Sequence, residues 1–236
     1  MRKPGPLLAS GRDSDIFEYG PGLVLRRSRH GHSMTVEARA MEHARSYGYP
    51  VPAVEEVTAD GTELVMERIS GPSMMTPLSR RPWTMKAYAG VLADLHDRLH
   101  EVPGPGWLPA APGAVGDRMV HLDLHPLNVV LSPKGPVVID WANAARGSAA
   151  ADVAATWALL AAAGIPAGRL TAALLGRLRS VFVNAFLARF DRYSVLGELP
   201  AVVHWKVRDP NMSAAERGAM QRLVTAAHQR EGRGHG

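Results

Sequence analysis

The sequence predicts an α+β fold in two lobes: a small antiparallel-sheet N-lobe with one helix, and a larger, mainly helical C-lobe. Three observations carry this. Residues 1–71 alternate short apolar segments with turn residues around one helix-forming run. Ser70-Gly71-Pro72 then breaks that pattern. From Trp83 onward most of the chain has helical periodicity, interrupted by one hairpin. The expected organisation is therefore 1–71, 72–230 and a disordered tail over 231–236.

In the N-terminal part, Leu7–Gly11, Asp15–Tyr19 and Gly22–Arg27 read as strands, with Gly20-Pro21-Gly22 as punctuation. Met34–Tyr47 is rich in helix formers, among them Glu37, Ala38, Ala40, Met41 and Ala44, and it stops at Gly48 and Pro50. Val54–Thr58 and Glu63–Ile69 flank Ala59-Asp60-Gly61-Thr62, whose Asp-Gly suits a tight hairpin turn.

In the C-terminal part, Trp83–His100 places Tyr88, Val91, Leu92, Leu95 and Leu99 on one helix face. Pro103 to Gly116 has the proline and glycine content of an irregular loop. Val129–Leu131 and Pro136–Ile139 form a hairpin across Ser132-Pro133-Lys134-Gly135. Three or four helices follow, over Ala149–Ala163, Ala167–Phe190, Leu196–Val207 and Ser213–Gln229, with Pro166, Pro200 and Pro210 near their boundaries. Trp157, Phe182, Phe186 and Phe190 fall at the spacing of core residues.

Composition narrows the function classes. With 236 residues and 46% hydrophobic content the chain can bury a sizeable core, yet no apolar run approaches the ~20 residues of a membrane span. The segment Met1–Ser10 has a basic head but too short an apolar stretch for a signal peptide, so a cytoplasmic protein without membrane attachment is expected. The absence of cysteine excludes disulfides and thiol chemistry. The net charge of +5 invites a nucleic-acid reading, but the arginines are scattered, and Arg26-Arg27 and Arg80-Arg81 are only pairs. No nucleic-acid partner is expected, and either a monomer or a homodimer fits.

The most informative stretch is His121-x-Asp123-x-x-x-x-Asn128, followed by Val137-Val138-Ile139-Asp140-Trp141. Phosphoryl transfer from Mg-ATP needs such groups together: a carboxylate to take the acceptor hydroxyl's proton, and an amide oxygen plus a second carboxylate to hold Mg2+. Asp123 and Asn128 share one short loop, and the hairpin that follows returns the chain so that Asp140 lies beside them.

A strand-rich lobe, a hinge, and a helical lobe carrying these motifs resembles the aminoglycoside phosphotransferase/choline kinase-like family, small-molecule kinases with a protein-kinase-like fold. The likeness runs from about Leu7 to Gln229, and a further match is Asp152 in Gly147-Ser-Ala-Ala-Ala-Asp152. The resemblance implies that Asp123 is the base, that Asn128 and Asp140 hold Mg2+ against the ATP phosphates, and that His121 braces the loop. It implies that Glu37 pairs with the basic residue reaching the α- and β-phosphates, and it counts Gly11, Ser14 and Glu67 among the nucleotide-binding positions. His125, after the base, is expected to contact the γ-phosphate.

Three departures qualify the resemblance. Arginine stands where the family's strand lysine is expected, and Arg26 aligns better than Arg27 because alternate strand residues face opposite sides. The nucleotide-covering loop Gly11-Arg-Asp-Ser14-Asp15 has one glycine rather than a run, and Asp13 and Asp15 would repel phosphate unless they point away. Trp141 follows Asp140 where protein kinases have Phe-Gly, and no activation segment follows, which points to a small-molecule kinase. A nucleotide-binding pseudokinase with a regulatory role is the alternative, resting on Arg26 and the thin glycine loop.

The acceptor implied is a hydroxyl on an antibiotic, amino alcohol, sugar or similar metabolite. After Asp140 the acids are few (Asp152, Asp191, Glu198, Asp209, Glu216 and Glu231), while arginines are frequent. So basic a region matches polycationic aminoglycosides poorly, and weak or absent aminoglycoside phosphorylation is expected.

Overall fold

The computed structural model describes residues 3–163 and 169–234. The chain divides into two compact units, one of Met1–Ser73 with Leu127–Ala144 and one of Met74–Pro126 with Ala145–Gly236. The hairpin that follows the Asp123 loop thus packs with the N-terminal residues.

The first unit holds a five-stranded antiparallel sheet of β1 (Leu7–Ser10), β2 (Ser14–Glu18), β3 (Leu23–Ser28), β4 (Val54–Val57) and β5 (Glu63–Glu67), in the order β1-β2-β3-β5-β4. Strand alternation divides β3. Leu23 and Leu25 pack with Phe17, Tyr19 and Val65 on one face, while Val24 and Arg26 take the other. In register, Arg26 lies between Ile16 and Leu64. The helix α1 (Thr35–Ser46) buries Glu37, Ala38, Ala40, Met41 and Ala44, a face whose only charged member is Glu37.

The strands β7 (Val129–Ser132) and β8 (Gly135–Val138) are held to this unit by backbone bonds from Leu131 N–H to Pro72 O at 2.9 Å and from Val138 N–H to Pro50 O at 2.8 Å. Gly71 shows why the chain breaks at Ser70-Gly71-Pro72. Its φ is +147°, and a Cβ there would lie 2.2 Å from the Leu131 carbonyl oxygen, so only glycine admits this approach.

In the second unit, α2 (Met75–Arg80) leads through a 3-10 turn at Pro82–Thr84 into α3 (Met85–His100). Two short strands, β6 (Arg118–Val120) and β9 (Ala145–Gly147), pair antiparallel. Then come α4 (Ala149–Ala162), α5 (Arg169–Leu187), α6 (Arg192–Lys206) and α7 (Ala214–Gly234). The helix α4 is buried on nearly every side, because its alanines let α3, α5, α6 and α7 pack closely around it.

The α+β composition agrees with the sequence reading, and the differences have local causes. The strands β6 and β9 span three residues each, too short for alternation to show. The helix α2 is six residues long and carries Pro77 near its start, which masked its periodicity. Pro82 opens the 3-10 turn, so α3 starts at Met85 rather than Trp83. The helix α6 starts at Arg192, not Leu196, because the Asp191 carboxylate accepts bonds from the N–H groups of Tyr193 and Ser194, each at 3.2 Å. Pro200 therefore lies inside a helix rather than near its boundary. The helix α7 runs to Gly234, into the expected tail; Pro166, residues 167 and 168 and the last two residues lie outside the described ones. Among the described residues no helix is long and apolar enough to cross a membrane.

Candidate active site

Within the first unit, Arg26 gathers three of the residues singled out in the sequence. Its Nε donates to the Ser14 hydroxyl at 2.8 Å, its Nη1 to Glu37 Oε1, and its Nη2 to Asp140 Oδ1 at 3.2 Å. Strand alternation sends its neighbour away: Arg27 pairs with Glu63 at 2.6 Å. Arg26 and Glu37 are 13% and 6% exposed, so their pairing is shielded from water and salt.

The same Glu37 oxygen accepts the Trp141 backbone N–H at 3.2 Å, which ties α1 to the residue after Asp140. Burial pushes the Glu37 carboxyl above its ordinary range, and the attraction of Arg26 only partly offsets this. Burial works against the charged Arg26 guanidinium too, but Glu37 and Asp140 together raise it above its usual value.

Asp140 has φ +65°, left-handed backbone that a non-glycine residue adopts at a cost. Trp141 holds it there. The indole is fully buried, donates from Nε1 to Val138 O at 3.1 Å, and meets Tyr49 edge-on at 5.6 Å. The Asp140 side chain is 45% exposed and remains accessible. Asn128 is buried at the start of the hairpin, and its carbonyl accepts Ile139 N–H at 3.0 Å, so Asn128 and Asp140 flank the hairpin's two ends.

The Gly11–Ser14 loop is closed by Gly11 N–H to Ser14 O at 2.8 Å. Asp15 is engaged by the Ser10 hydroxyl at 2.6 Å and Arg29 at 3.0 Å, and these bonds lower its carboxyl below the usual range. Glu67 lies toward the other end of β5, where it accepts Ala53 N–H at 3.2 Å and stands 3.9 Å from Arg45. It is not part of the Arg26 cluster.

Within the second unit, the His121–Asp123 loop is built on Asp152. This carboxylate sits in the first turn of α4, where Ser148 caps the helix and the backbone dipoles favour negative charge. Its Oδ1 accepts the N–H groups of His121 at 3.1 Å and Leu122 at 2.6 Å, and its Oδ2 meets His100 Nε2 at 3.0 Å. Burial opposes its ionisation, yet the His100 bond and the neighbouring imidazoles hold it well below the usual carboxylate range. These bonds also secure Leu122 at φ +59°.

One turn further along α4, the Thr156 hydroxyl donates to Leu124 O at 2.7 Å. His96 bridges Thr156 and Leu92 O, each at 2.9 Å, and packs edge-on against Phe186 at 5.1 Å. His96 and His100 thus support the loop as packing and hydrogen-bonding residues.

Asp123 projects from this loop with its side chain 17% exposed. His125 Nε2 lies 3.8 Å from Asp123 Oδ2. Lys206, the last residue of α6, places Nζ 2.8 Å from Asp123 Oδ1 and 3.4 Å from Leu122 O while only 5% exposed. The sequence reading missed Lys206. The available signal was a lysine in register with the apolar stripe Val195, Leu199, Val202 and Val203, where a charge requires a partner.

Residues 106–195 match the model of APH, the phosphotransferase enzyme family. Over that segment the chain is similar to this family. No curated protein sequence matches the chain. Among solved structures it is similar to the apo form of a thermostable mutant of aminoglycoside phosphotransferase APH(4)-Ia, with a TM-score of 0.64 and 14% identity over 94% of each chain. It is also similar to a choline/ethanolamine kinase family protein from Mesorhizobium loti, with a TM-score of 0.58 and 15% identity over 94% of this chain and 88% of that one. Choline kinase LicA from Streptococcus pneumoniae gives 0.53 and 11%, over 97% of this chain and 94% of that one. At these identities the likeness carries the fold, the two-lobed kinase-like α+β fold. The matched segment is similar to phosphotransferases, and the fold is one that such enzymes share.

Proposed function

We propose that the protein transfers the γ-phosphoryl group of Mg-ATP to a hydroxyl of a small molecule, with Asp123 as the base. The observation that carries this reading is the Arg26 network, in which one shielded guanidinium joins Ser14, the α1 glutamate and Asp140. A structural ion pair needs only one partner. A cation shared between a buried glutamate and an accessible aspartate suits a phosphate site beside a metal site.

The residues fit Mg-ATP. Asn128 and Asp140 offer hard oxygen donors, and Mg2+ commonly takes one or two protein carboxylates and completes its shell with phosphate and water. Among fold neighbours, a thermostable mutant of APH(4)-Ia forms a ternary complex with AMP-PNP and hygromycin B, and amicoumacin kinase hAmiN is complexed with AMP-PNP, Ca2+ and Ami. Bound Mg-ATP would supply the phosphoryl group and neutralise its developing charge. Asp123 would accept the acceptor's hydroxyl proton, and His125 would stand beside it toward the γ-phosphate. Arg26 would hold the phosphates through one edge of its guanidinium while Glu37 retains the other. That this pair forms with arginine in the lysine position supports the catalytic reading.

The test is Mg-dependent phosphoryl transfer, or slow ATP hydrolysis, in the wild type and in Asp123→Asn. Turnover should fall ~10²–10⁴-fold in the variant while ATP still raises its melting temperature. Equal turnover in both proteins would remove Asp123 from the chemistry.

A further inference from the structure

We propose that Lys206 sets the acceptor class: a compound that is uncharged or anionic beside its reacting hydroxyl, and not one carrying an ammonium group there. The inference rests on the reading of Asp123 as the base.

A carboxylate that serves as base is also the natural anchor for a cationic acceptor. Here that anchor is occupied from within the chain. Lys206 Nζ lies 2.8 Å from Asp123 Oδ1, and His125 Nε2 lies 3.8 Å from Oδ2. The ammonium is not a surface group that can swing aside. It is 5% exposed, donates to Leu122 O at 3.4 Å, lies 5.2 Å from the centre of the Trp205 ring, and extends from a helix end seated on Val202 and Val203.

Together Asp123 and Lys206 carry no net charge, so the base exerts little pull on a cation. A second ammonium beside the reacting hydroxyl would face Lys206 at close range. An acceptor carboxylate or phosphate would instead complete the donor set of Nζ. The acid on the same helix is anchored away from Asp123: Glu198, two turns before Lys206, accepts Ala114 N–H at 2.9 Å. Gly113 is required beside it, since φ is +96° and a Cβ would lie 1.9 Å from Glu198 Oε2. At the outer end of α6, Arg208 and His204 add no negative charge.

The experiment compares matched acceptors with Mg-ATP: glycerol against 3-amino-1,2-propanediol, glucose against glucosamine, and glycerate as the anionic member. In the wild type, kcat/KM for the uncharged or anionic compound should exceed that for its amine by 10-fold or more. Lys206→Met should narrow that ratio at least 10-fold, chiefly through KM for the amine, and Lys206→Arg should preserve it. A wild-type preference for the amines overturns the inference. So does a uniform loss of kcat in Lys206→Met with the ratio unchanged, which would make the lysine a loop brace only. If Lys206→Met does not fold, the wild type and Lys206→Gln decide by the same ratio. ATP hydrolysis without transfer to any uncharged or anionic compound overturns this inference and leaves the kinase reading, whereas absence of both hydrolysis and transfer overturns the two together.

Discussion

Asp152 holds the candidate catalytic loop through three bonds made by one fully buried carboxylate, two to backbone N–H groups and one to His100. Asn at this position keeps the size but loses the charge, and its amide nitrogen must face a donor. Asp152→Asn should therefore cost about 3 kcal/mol or more of stability and lower turnover with it. Urea unfolding followed by tryptophan fluorescence checks the first, and a change under 1 kcal/mol on that scale would mean that the loop holds itself. At this scale much of the site was legible. Asp123, Asn128 and Asp140 are joined by one loop and one short hairpin, whose spacing backbone geometry alone makes meaningful. Arg26 against Arg27 was legible as well, since alternation in a strand is strict. The distance of Glu67 from Arg26 was not legible, because its position along β5 depends on the register with β3.

Among the elements, α6 matters most to the site because it ends in Lys206. Asp191 starts it, accepting two backbone N–H groups and the Ser194 hydroxyl. Asp191→Ala should lower the melting temperature by roughly 2–4 °C for a chain of this length. Scanning calorimetry reads the shift, and an unchanged melting temperature would show that packing alone sets the helix start. The Asp-Arg-Tyr-Ser start was readable as a cap, but the proline at 200 drew the predicted boundary inward. Pro200 is tolerated within α6 because helix propensity is a weak preference and tertiary packing overrides it. Strands of three residues, like β6 and β9, carry no periodic signal at all.

For the whole molecule, the buried His96 and Asp152 give stability a direction with pH. Burial pulls His96 down to about 4 from an ordinary value near 6.5. Between these values the unfolded chain binds a proton that the folded protein refuses, so stability falls as pH drops from ~6.5 toward ~4. The His96 contribution is about 3 kcal/mol at most. Asp152, held below its usual value, is stabilising above that value and loses this contribution as pH falls further, so the two act in the same direction. Urea midpoints at pH 7, 6 and 5 should decline, and His96→Gln should flatten the slope between pH 6.5 and 5; an equal slope in the variant would assign the decline elsewhere. The α+β class, the strand and helix faces and the His121–Asp140 motif are legible in the amino-acid order, because these rest on short-range periodicity and on groups a few residues apart. Which cation sits on Asp123, and which network of groups fixes its loop, depends on contacts between residues far apart in the chain. A buried charge takes its partner from whatever packing brings within reach, and Lys206 reaches Asp123 only because α6 seats its apolar stripe in the helical core.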